Sequence, residues 1–351
     1  MSAHISARKT QKAVIVQKDK TVAVETVPVP KPGAGEVLVK VSAAAQNPTD
    51  WKGIEMGRTT PGKGVGYDFA GLVAAVGDGV SNVKVGERVA GFYPGAFREY
   101  TLIPASLPLV RIPEGTSDEE ASTIPLALGT AAIGLRRIAN FPEQAPLGHT
   151  ILVWGGSSSV GLYAIQLARL VGFKVITTAS PKNHALVKSH GAHFAFDYRA
   201  PDVVSQIVEA SGRGGVDYVY DAISEQGSYE ASVKAFRKDG PRQIGLVLGV
   251  NESAFEPGVD AHLIAVATLL GTPATLFGRY FVDDERDSLF GQKLFQQVEV
   301  WLREERLKAN PHTVIAGGLN GVQEGLKIMK EGKVSASKLV YRIADTPGLE
   351  A

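Results

Sequence analysis

The sequence contains 351 residues, which predicts about two domains at roughly 100–200 residues each. Hydrophobic residues make up 44% of the chain and charged residues 21%, a balance that supports a buried core and excludes a disordered protein. The formal net charge of +1 indicates no polyanionic partner. The complete absence of cysteine excludes disulfides, thiolate zinc sites, iron–sulfur clusters and cysteine nucleophiles.

Neither a secretory leader nor a membrane segment is indicated by the sequence. Residues 1–6 lack an apolar core of signal-peptide length, and no apolar run reaches the roughly 18 residues that a transmembrane helix needs. No stripe of basic and aromatic residues indicates nucleic-acid binding. We therefore expect a cytoplasmic protein without nucleic-acid or membrane partners.

Residues 12–125 contain short strand-like runs separated by turn clusters. The runs are apolar and bounded by Gly and Pro, as is typical of small β-rich modules. We predict a barrel-like β module in this part of the chain. The predicted strands are Ala13–Val16, Val37–Val41, Val73–Gly77 and Arg88–Phe92.

Between residues 150 and 270 short apolar strands alternate with helical stretches. This βαβ alternation predicts a parallel, doubly wound sheet. Apolar residues at helical spacing then predict an amphipathic helix over 288–307, followed by a shorter helix near 319–331 and a strand at Leu339–Tyr341. The predicted strands of the sheet are Ile151–Trp154, Lys174–Thr178, Phe194–Asp197, Val216–Tyr220 and Gln243–Val247.

A glycine- and serine-rich turn, Gly155–Gly161, lies directly between a predicted strand and a predicted helix. Such a turn lets backbone N–H groups and the positive end of a helix face a pyrophosphate. Gly156 and Gly161 hold the first and third glycine positions of the G-x-G-x-x-G pattern, and Ser158 replaces the middle glycine. The alternative is a Gly/Ser loop without a ligand. The predicted cofactor contacts in this loop are Gly156, Ser157, Ser158, Ser159 and Val160.

The end of the next predicted strand favours NADPH over NADH. A chain that binds NAD usually has an Asp or Glu about 20 residues beyond the loop, where it holds the ribose 2′-hydroxyl. Here Ser180, Pro181, Lys182 and Asn183 supply a hydroxyl, a cation and an amide, which suit a 2′-phosphate. Tyr198 follows the third predicted strand and is expected near the adenine. The alternative for the Ser-Pro pair is a turn or a helix cap.

Motifs spread over nearly the whole chain resemble those of the medium-chain dehydrogenase/reductase superfamily. They are specific by their order and spacing rather than singly. Within the superfamily the chain is similar to the zinc-independent quinone oxidoreductase and enoyl reductase branch, and there to fungal trans-acting enoyl reductases of polyketide synthesis. The motifs are Gly35–Val41, Asn47–Asp50, Gly66–Gly71, Val85–Val89, Gly95–Tyr100, Gly155–Ser157, Ser180–Asn183, Gly191-Ala192 and Asp197–Pro201.

The resemblance implies an α/β protein with two domains. A GroES-like, β-rich catalytic domain is expected from residues 1–124 and 278–351. A Rossmann domain, with a doubly wound parallel sheet that binds NADPH, is expected from residues 125–277.

The resemblance also bears on metal binding. The zinc alcohol dehydrogenases of the superfamily hold their metal with a Cys, a His and a second Cys, and the first two matching positions here are Asn47 and Tyr67. Because the chain has no Cys, we expect neither the catalytic zinc nor the four-Cys structural zinc. His190 and His193 lie close together in the sequence, but two histidines without a third ligand make a poor metal site.

The resemblance further implies which residues form the site. The predicted catalytic residues are Lys52 as an electrostatic or cofactor-holding group, Asn47 as a donor to ribose or substrate, and Tyr67 facing the cleft. The ordinary alternatives are a surface lysine and a core tyrosine. Further predicted cofactor contacts are Thr49, Asp50, Trp51, Lys52, Thr130, Leu246, Val247, Val340 and Tyr341. The predicted substrate residues, for which packing between domains is the alternative, are Leu126, Ala127, Leu128, Gly129, Leu270, Gly271, Thr272 and Pro273.

A zinc-free member of this branch is expected to reduce a C=C bond conjugated to a carbonyl, because the carbonyl itself makes the β-carbon electrophilic. We predict an NADPH-dependent enoyl reductase that takes a small-molecule or carrier-linked α,β-unsaturated carbonyl and works in trans with a polyketide synthase. The alternatives are a quinone oxidoreductase or small enone reductase and, in another class, a protein that binds NADPH without turnover. The resemblance is compatible with a monomer or a homodimer.

Overall fold

The computed structural model describes residues 9–225, 227–251, 253, 255–276, 278–282 and 285–349, without the side chains of Ala274 and Leu276. The chain divides into two compact units. The first comprises the residues up to Leu126 and from Phe290 onward, and the second runs from Ala127 to Leu289.

The elements follow one another along the chain in the order of their numbers. The strands are β1 (Thr10–Val16), β2 (Val22–Pro28), β3 (Glu36–Ala45), β4 (Asp68–Val76), β5 (Arg88–Phe92), β6 (Tyr100–Pro104), β7 (Val110–Arg111), β8 (Thr150–Trp154), β9 (Lys174–Thr178), β10 (Phe194–Phe196), β11 (Tyr218–Asp221), β12 (Gln243–Leu246), β13 (Asp260–Leu263), β14 (Ala274–Leu276), β15 (Arg279–Phe281), β16 (His312–Val314) and β17 (Lys338–Arg342). The helices are α1 (Pro48–Glu55), α2 (Asp118–Ser122), α3 (Pro125–Ala139), α4 (Ser159–Leu170), α5 (His184–Ser189), α6 (Val203–Ser211), α7 (Ser228–Val233), α8 (Glu285–Arg303) and α9 (Val322–Lys330).

The first unit is β-rich, as predicted. Its main sheet has the order β16-β17-β3-β4-β5-β7, and β6 pairs with β3. The long strand β3 runs antiparallel to β4, β6 and β17, and Val37, Val39 and Phe69 are fully buried on these strands. The sheet therefore brings the end of β3, which leads into α1, next to the start of β4 and to β17.

The second unit is the predicted doubly wound sheet. Six parallel strands in its described part lie in the order β10-β9-β8-β11-β12-β13. The strand order reverses between β8 and β11, where both strands are buried. In open parallel sheets a ligand binds beside the carboxyl ends of the strands at such a reversal.

Two features of the helices differ from the sequence expectation. Helices α1 and α3 were not predicted, because a short helix after a strand and an almost entirely apolar helix show little periodicity. Helix α8 begins at Glu285 and ends at Arg303 rather than spanning 288–307, and Glu305 adopts a positive φ of 56° just beyond it. Residues 278–289 group with the second unit, where the buried Asp287 carboxylate pairs with Arg137 of α3.

Membrane insertion by a helix finds no support in the structure. Across the described ranges, no helix combines the length and apolar character that crossing a membrane requires.

Candidate functional site

The glycine-rich loop of the second unit joins the buried strand β8 to helix α4. Ser158 caps this helix, because its hydroxyl oxygen accepts a hydrogen bond from the N–H of Gly161 at 3.0 Å. The N–H groups of Gly155 and Gly156 are bonded to the hydroxyl and carbonyl of Thr178 on β9. The loop is thus tied to the neighbouring strand at the sheet reversal, and the N-terminus of α4 points its first N–H groups out of the loop.

Close packing explains why glycines stand in this loop. A Cβ on Gly156 would lie 1.9 Å from the Thr177 hydroxyl oxygen, and a Cβ on Gly161 would lie 2.4 Å from the carbonyl oxygen of Gly155. Gly155 also has a φ of +76°, which favours glycine. The first and third glycines of the pattern therefore allow the loop, the helix and β9 to approach one another, as a dinucleotide loop requires.

The residues predicted to select NADPH follow β9 in a short 3₁₀ turn, Pro181–Asn183. Ser180 occupies the N-cap position of this turn, as the alternative of a turn or cap expects, but its hydroxyl makes no capping hydrogen bond. Lys182 is exposed and forms no ion pair with any described residue, whereas Asn183 is buried. A hydroxyl and an ammonium group are thus presented together at the carboxyl end of β9.

Tyr198 follows β10 and is 46% exposed. The guanidinium of Arg199 lies 5.4 Å from the centre of its ring and is held by the Asp197 carboxylate through two hydrogen bonds of 2.9 Å. The Arg199 charge is therefore balanced locally, whereas Lys182 forms no ion pair with a described residue.

The predicted contacts at the other side of the reversal lie on β12 and α3. Leu246 is buried, and the Val247 N–H donates to the Ser224 hydroxyl oxygen at 3.0 Å. A cavity of about 210 Å³ opens beside Leu246 and Leu263, at the ends of β12 and β13. Thr130 is buried on α3, where its carbonyl accepts a hydrogen bond from the Tyr220 hydroxyl.

In the first unit Asn47 belongs to a buried polar cluster. Its side-chain amide donates to the Asp68 carboxylate at 2.9 Å, and its amide oxygen accepts from the Lys338 ammonium at 2.5 Å. Lys338 also pairs with the same Asp68 oxygen at 3.0 Å, and both charged side chains are almost completely buried. The second Asp68 oxygen accepts the Leu126 N–H at 2.8 Å. The Asn47 amide, predicted to face ribose or substrate, is thus engaged in orienting an ion pair.

Asp50 is a buried carboxyl group at the start of α1. One oxygen accepts the Asn47 N–H at 2.7 Å, while the other is buried without a hydrogen-bond partner. Burial raises the pKa of Asp50 to about 8, although the Asn47 N–H and the Lys338 charge oppose this rise. Asp50 is therefore largely protonated at neutral pH.

The side chains of Tyr67, Lys52 and Trp51 are each partly exposed. Burial and the nearby Asp50 raise the pKa of the Tyr67 phenol, while Arg58 opposes the rise. The Lys52 ammonium lies 5.6 Å from the Trp51 ring centre, and neighbouring Thr49 is also partly exposed. Their contacts with a cofactor or substrate remain predictions.

Val340 and Tyr341 on β17 are fully buried. The Tyr341 hydroxyl donates to the Gln46 side-chain oxygen, and its ring packs edge-on against Phe97. Their side chains support the first unit from within, and their predicted contact with a cofactor remains a prediction.

The predicted substrate residues divide by exposure. Ala127 and Leu128 are buried on α3, and so is Gly129, while Leu126 is partly exposed. At the other predicted segment exposure increases along the chain. Leu270 and Gly271 are partly exposed, and Thr272 and Pro273 are exposed. Only Leu126 and the 270–273 segment therefore present accessible atoms.

Sequence reasoning missed Lys338 and Asp221. Lys338 starts an apolar strand, and a lysine in that position signals a buried acidic partner once the strand is known to be internal. Asp221 ends β11 beside the sheet reversal, where a polar residue after an apolar strand is a usable signal. Among the described residues, no three His, Asp or Glu side chains come together in a group that could hold a metal ion.

Comparison with known proteins gives a consistent picture. Residues 33–114 match the alcohol dehydrogenase GroES-like domain, and residues 159–278 match the zinc-binding dehydrogenase family. A trans-enoyl reductase of Penicillium citrinum is 34% identical over 90% of this chain and 92% of that protein. One of Thermothelomyces thermophilus is 35% identical over 91% and 93%.

The fold is similar to that of solved structures as well. The quinone oxidoreductase from Coxiella burnetii superimposes with a TM-score of 0.72 at 25% identity, over 95% of this chain and 99% of that one.

Proposed function

The chain belongs to the medium-chain dehydrogenase/reductase family, in its quinone oxidoreductase and enoyl reductase branch, and on that basis we propose that it reduces a conjugated C=C bond with NADPH. The observation that carries this proposal is the tight glycine loop at the sheet reversal, in a chain whose fungal relatives are trans-enoyl reductases. The more specific proposal is a trans-acting enoyl reductase that serves a separate polyketide synthase.

The described residues fit a dinucleotide. The space beside Gly156 and Gly161 has no room for a Cβ, and the N-terminus of α4 supplies N–H groups suited to a pyrophosphate. The exposed Lys182 ammonium and the Ser180 hydroxyl, which makes no capping hydrogen bond, suit a 2′-phosphate and so support NADPH. A bound nicotinamide would supply the hydride for the β-carbon of the alkene, and a proton from water would complete the reduction at the α-carbon.

This chain's own residues then bind and orient the reactants. Lys52 and Thr49 on α1 offer a cation and a hydroxyl to the cofactor or to the carbonyl of the substrate, where negative charge develops. Tyr67 offers a phenol hydroxyl as a hydrogen-bond donor, and burial raises its pKa further above the ordinary value. Asn47 contributes indirectly, by keeping the ion pair of Asp68 and Lys338 in place.

Metal-free chemistry is part of the proposal. The chain has no cysteine, and Asn47 stands where the first zinc ligand of the alcohol dehydrogenases would be. The only ligand-type atom of its side chain, the amide oxygen, already faces the Lys338 ammonium at 2.5 Å. A fixed positive charge at this distance opposes the binding of a divalent cation.

Two other functions differ from the proposed one in the acceptor that is reduced, or in the absence of any reduction. A quinone oxidoreductase or small enone reductase is favoured by the structural likeness to a quinone oxidoreductase. A protein that binds NADPH without turnover would share the same nucleotide loop, since that loop serves binding in either case.

The test is NADPH oxidation by the full-length protein with three acceptor classes: pantetheine- or carrier-linked enoyl chains, small enones and quinones. We expect turnover with the linked enoyl chains and markedly slower turnover with the others. Turnover restricted to quinones or small enones would replace the proposed substrate class. Tight NADPH binding without turnover of any acceptor would favour the binding protein. Metal analysis of the same sample gives a control, because one zinc per chain would contradict the metal-free proposal.

A further inference from the structure

Asp221 is a buried acid that the proposed chemistry does not use. It is the last residue of β11 and is completely buried. Its register partner on β8 is Trp154, so its side chain sits beside the strand that leads into the glycine loop. No Lys or Arg pairs with it among the described residues, and burial raises its pKa, against the hydrogen bonds it accepts from Ser228, Ser224 and Ile223.

These hydrogen bonds organise the segment that follows β11. One Asp221 oxygen accepts the N–H groups of Ile223 and Ser224, both at 2.9 Å. The other accepts the Ser228 hydroxyl of α7 at 2.6 Å. One side chain thus joins the start of the segment to the first turn of the next helix.

Ser224 connects Asp221 to the end of β12 by hydrogen bonds. It adopts a positive φ of 55°, a conformation that a non-glycine residue holds only when its surroundings enforce it. Its N–H donates to the Asp221 side chain, and its hydroxyl donates to the Asp221 carbonyl at 3.1 Å. The same hydroxyl oxygen accepts the Val247 N–H at 3.0 Å.

Ile223 connects the same segment to the glycine loop by packing beside Gly155. Its neighbour Ala222 donates its N–H to the Trp154 carbonyl at 3.0 Å. The Ile223 side chain fills the space beside Gly155, since a Cβ on Gly155 would lie 2.4 Å from it. Gly155 of the glycine loop is therefore packed against Ile223, whose N–H donates to the Asp221 side chain.

We propose that Asp221, acting through Ser224 and Ser228, is a positioning residue that sets the affinity of the second unit for its nicotinamide dinucleotide. It fixes the ends of β11 and β12 against the glycine loop before the cofactor arrives, so that binding needs less ordering of these segments. The inference rests on the proposed nicotinamide function. It concerns affinity and not the choice between NADPH and NADH, which lies at the end of β9.

The test compares two matched variants on α7. Ser228→Ala removes the hydroxyl that donates to Asp221 and that also accepts the Glu225 N–H at 3.2 Å. Ser232→Ala removes a buried hydroxyl that donates to the Ser228 carbonyl at 2.7 Å and makes no bond to Asp221. We expect the Kd for NADPH of the full-length protein, measured by fluorescence titration, to rise about five- to tenfold in Ser228→Ala and less than about twofold in Ser232→Ala. In the cofactor-free protein, the amides of Ile223, Ser224 and Val247 should exchange faster in Ser228→Ala than in Ser232→Ala.

A conservative variant separates position from charge. Asp221→Asn keeps an oxygen for the two backbone N–H groups, so its Kd should stay within about threefold of the wild type, while Asp221→Ala loses affinity strongly. Equal Kd values in the two serine variants, with equal amide exchange, would overturn the positioning role. A wild type that binds neither NADPH nor NADH would instead overturn the proposed function itself.

Discussion

Lys182 is the single exposed charge on which the proposed preference for NADPH depends. It lies at the carboxyl end of β9 next to Ser180, with no ion pair to any described residue. An exposed ammonium group gains little from the protein around it, but it gains a charge-assisted hydrogen bond when a phosphate is brought to it.

Lys182→Ala should therefore raise the Kd for NADPH about tenfold, the equivalent of ~1.4 kcal/mol, and leave the Kd for NADH nearly unchanged, because only NADPH carries the 2′-phosphate. Lys188→Ala, an exposed lysine of the same region on α5, is the matched control and should change neither value. Equal losses for both cofactors would mean that Lys182 does not contact the 2′-phosphate.

At the scale of elements, the loop between β8 and α4 depends on how closely a helix can approach a strand. Gly161 lies in the first turn of α4, where helix propensity alone favours alanine by about 1 kcal/mol. Its backbone contacts with Gly155 and Gly156 oppose this preference, because no flexible side chain is available to move aside.

The two effects make opposite predictions for Gly161→Ala. We expect the substitution to destabilise the second unit by roughly 1–3 kcal/mol and to weaken NADPH binding, because the clash displaces the loop from β9. Thermal unfolding and a cofactor titration measure both effects. A variant that is more stable than the wild type and binds NADPH normally would show that the tight approach is not needed.

At the scale of the whole molecule, the buried carboxyl of Asp50 links stability to pH. Its pKa of about 8 lies far above its ordinary value of 3.8, so the folded state favours the protonated form. The groups around it are the Asn47 N–H, Lys338, Asp68, Tyr67 and Tyr341. Its contribution to stability is complete below pH 3.8 and decreases as the pH rises through about 8.

Asp50→Asn should remove this part of the pH dependence, since an amide keeps the hydrogen bond from Asn47 and cannot ionise. Between about pH 5 and about pH 9, we expect the Tm of the wild type to fall several °C further than that of the variant. The corresponding loss of stability is at most about 4 kcal/mol, at about 1.4 kcal/mol for each pH unit up to the folded pKa of about 8. Asp78→Asn, at an exposed position, serves as control. Parallel Tm curves for wild type and Asp50→Asn would contradict the assignment.

Much of the fold is visible in local patterns. Buried parallel strands are short apolar runs, and glycines interrupt the chain where it turns, so five of the six described strands of the doubly wound sheet could be predicted close to their observed limits. The glycine loop was also predictable, because its spacing reflects a local approach of strand and helix. Strand β13 was not predicted, because its four residues include Asp260 and His262 and so give little apolar signal.

The candidate site divides in the same way. By itself the sequence determined the branch of the family, the nucleotide loop, the absence of a cysteine ligand, and the hydroxyl and cation after β9, because each is a property of neighbouring residues. Only the tertiary structure decided that the Asn47 side chain accepts a hydrogen bond from Lys338, 291 positions away. It also decided that Asp221, through Ser224, connects the segment after β11 to the end of β12. The pairing of strands brings such partners together. Burial then requires each polar group to form a hydrogen bond with the nearest complementary group, because water is excluded.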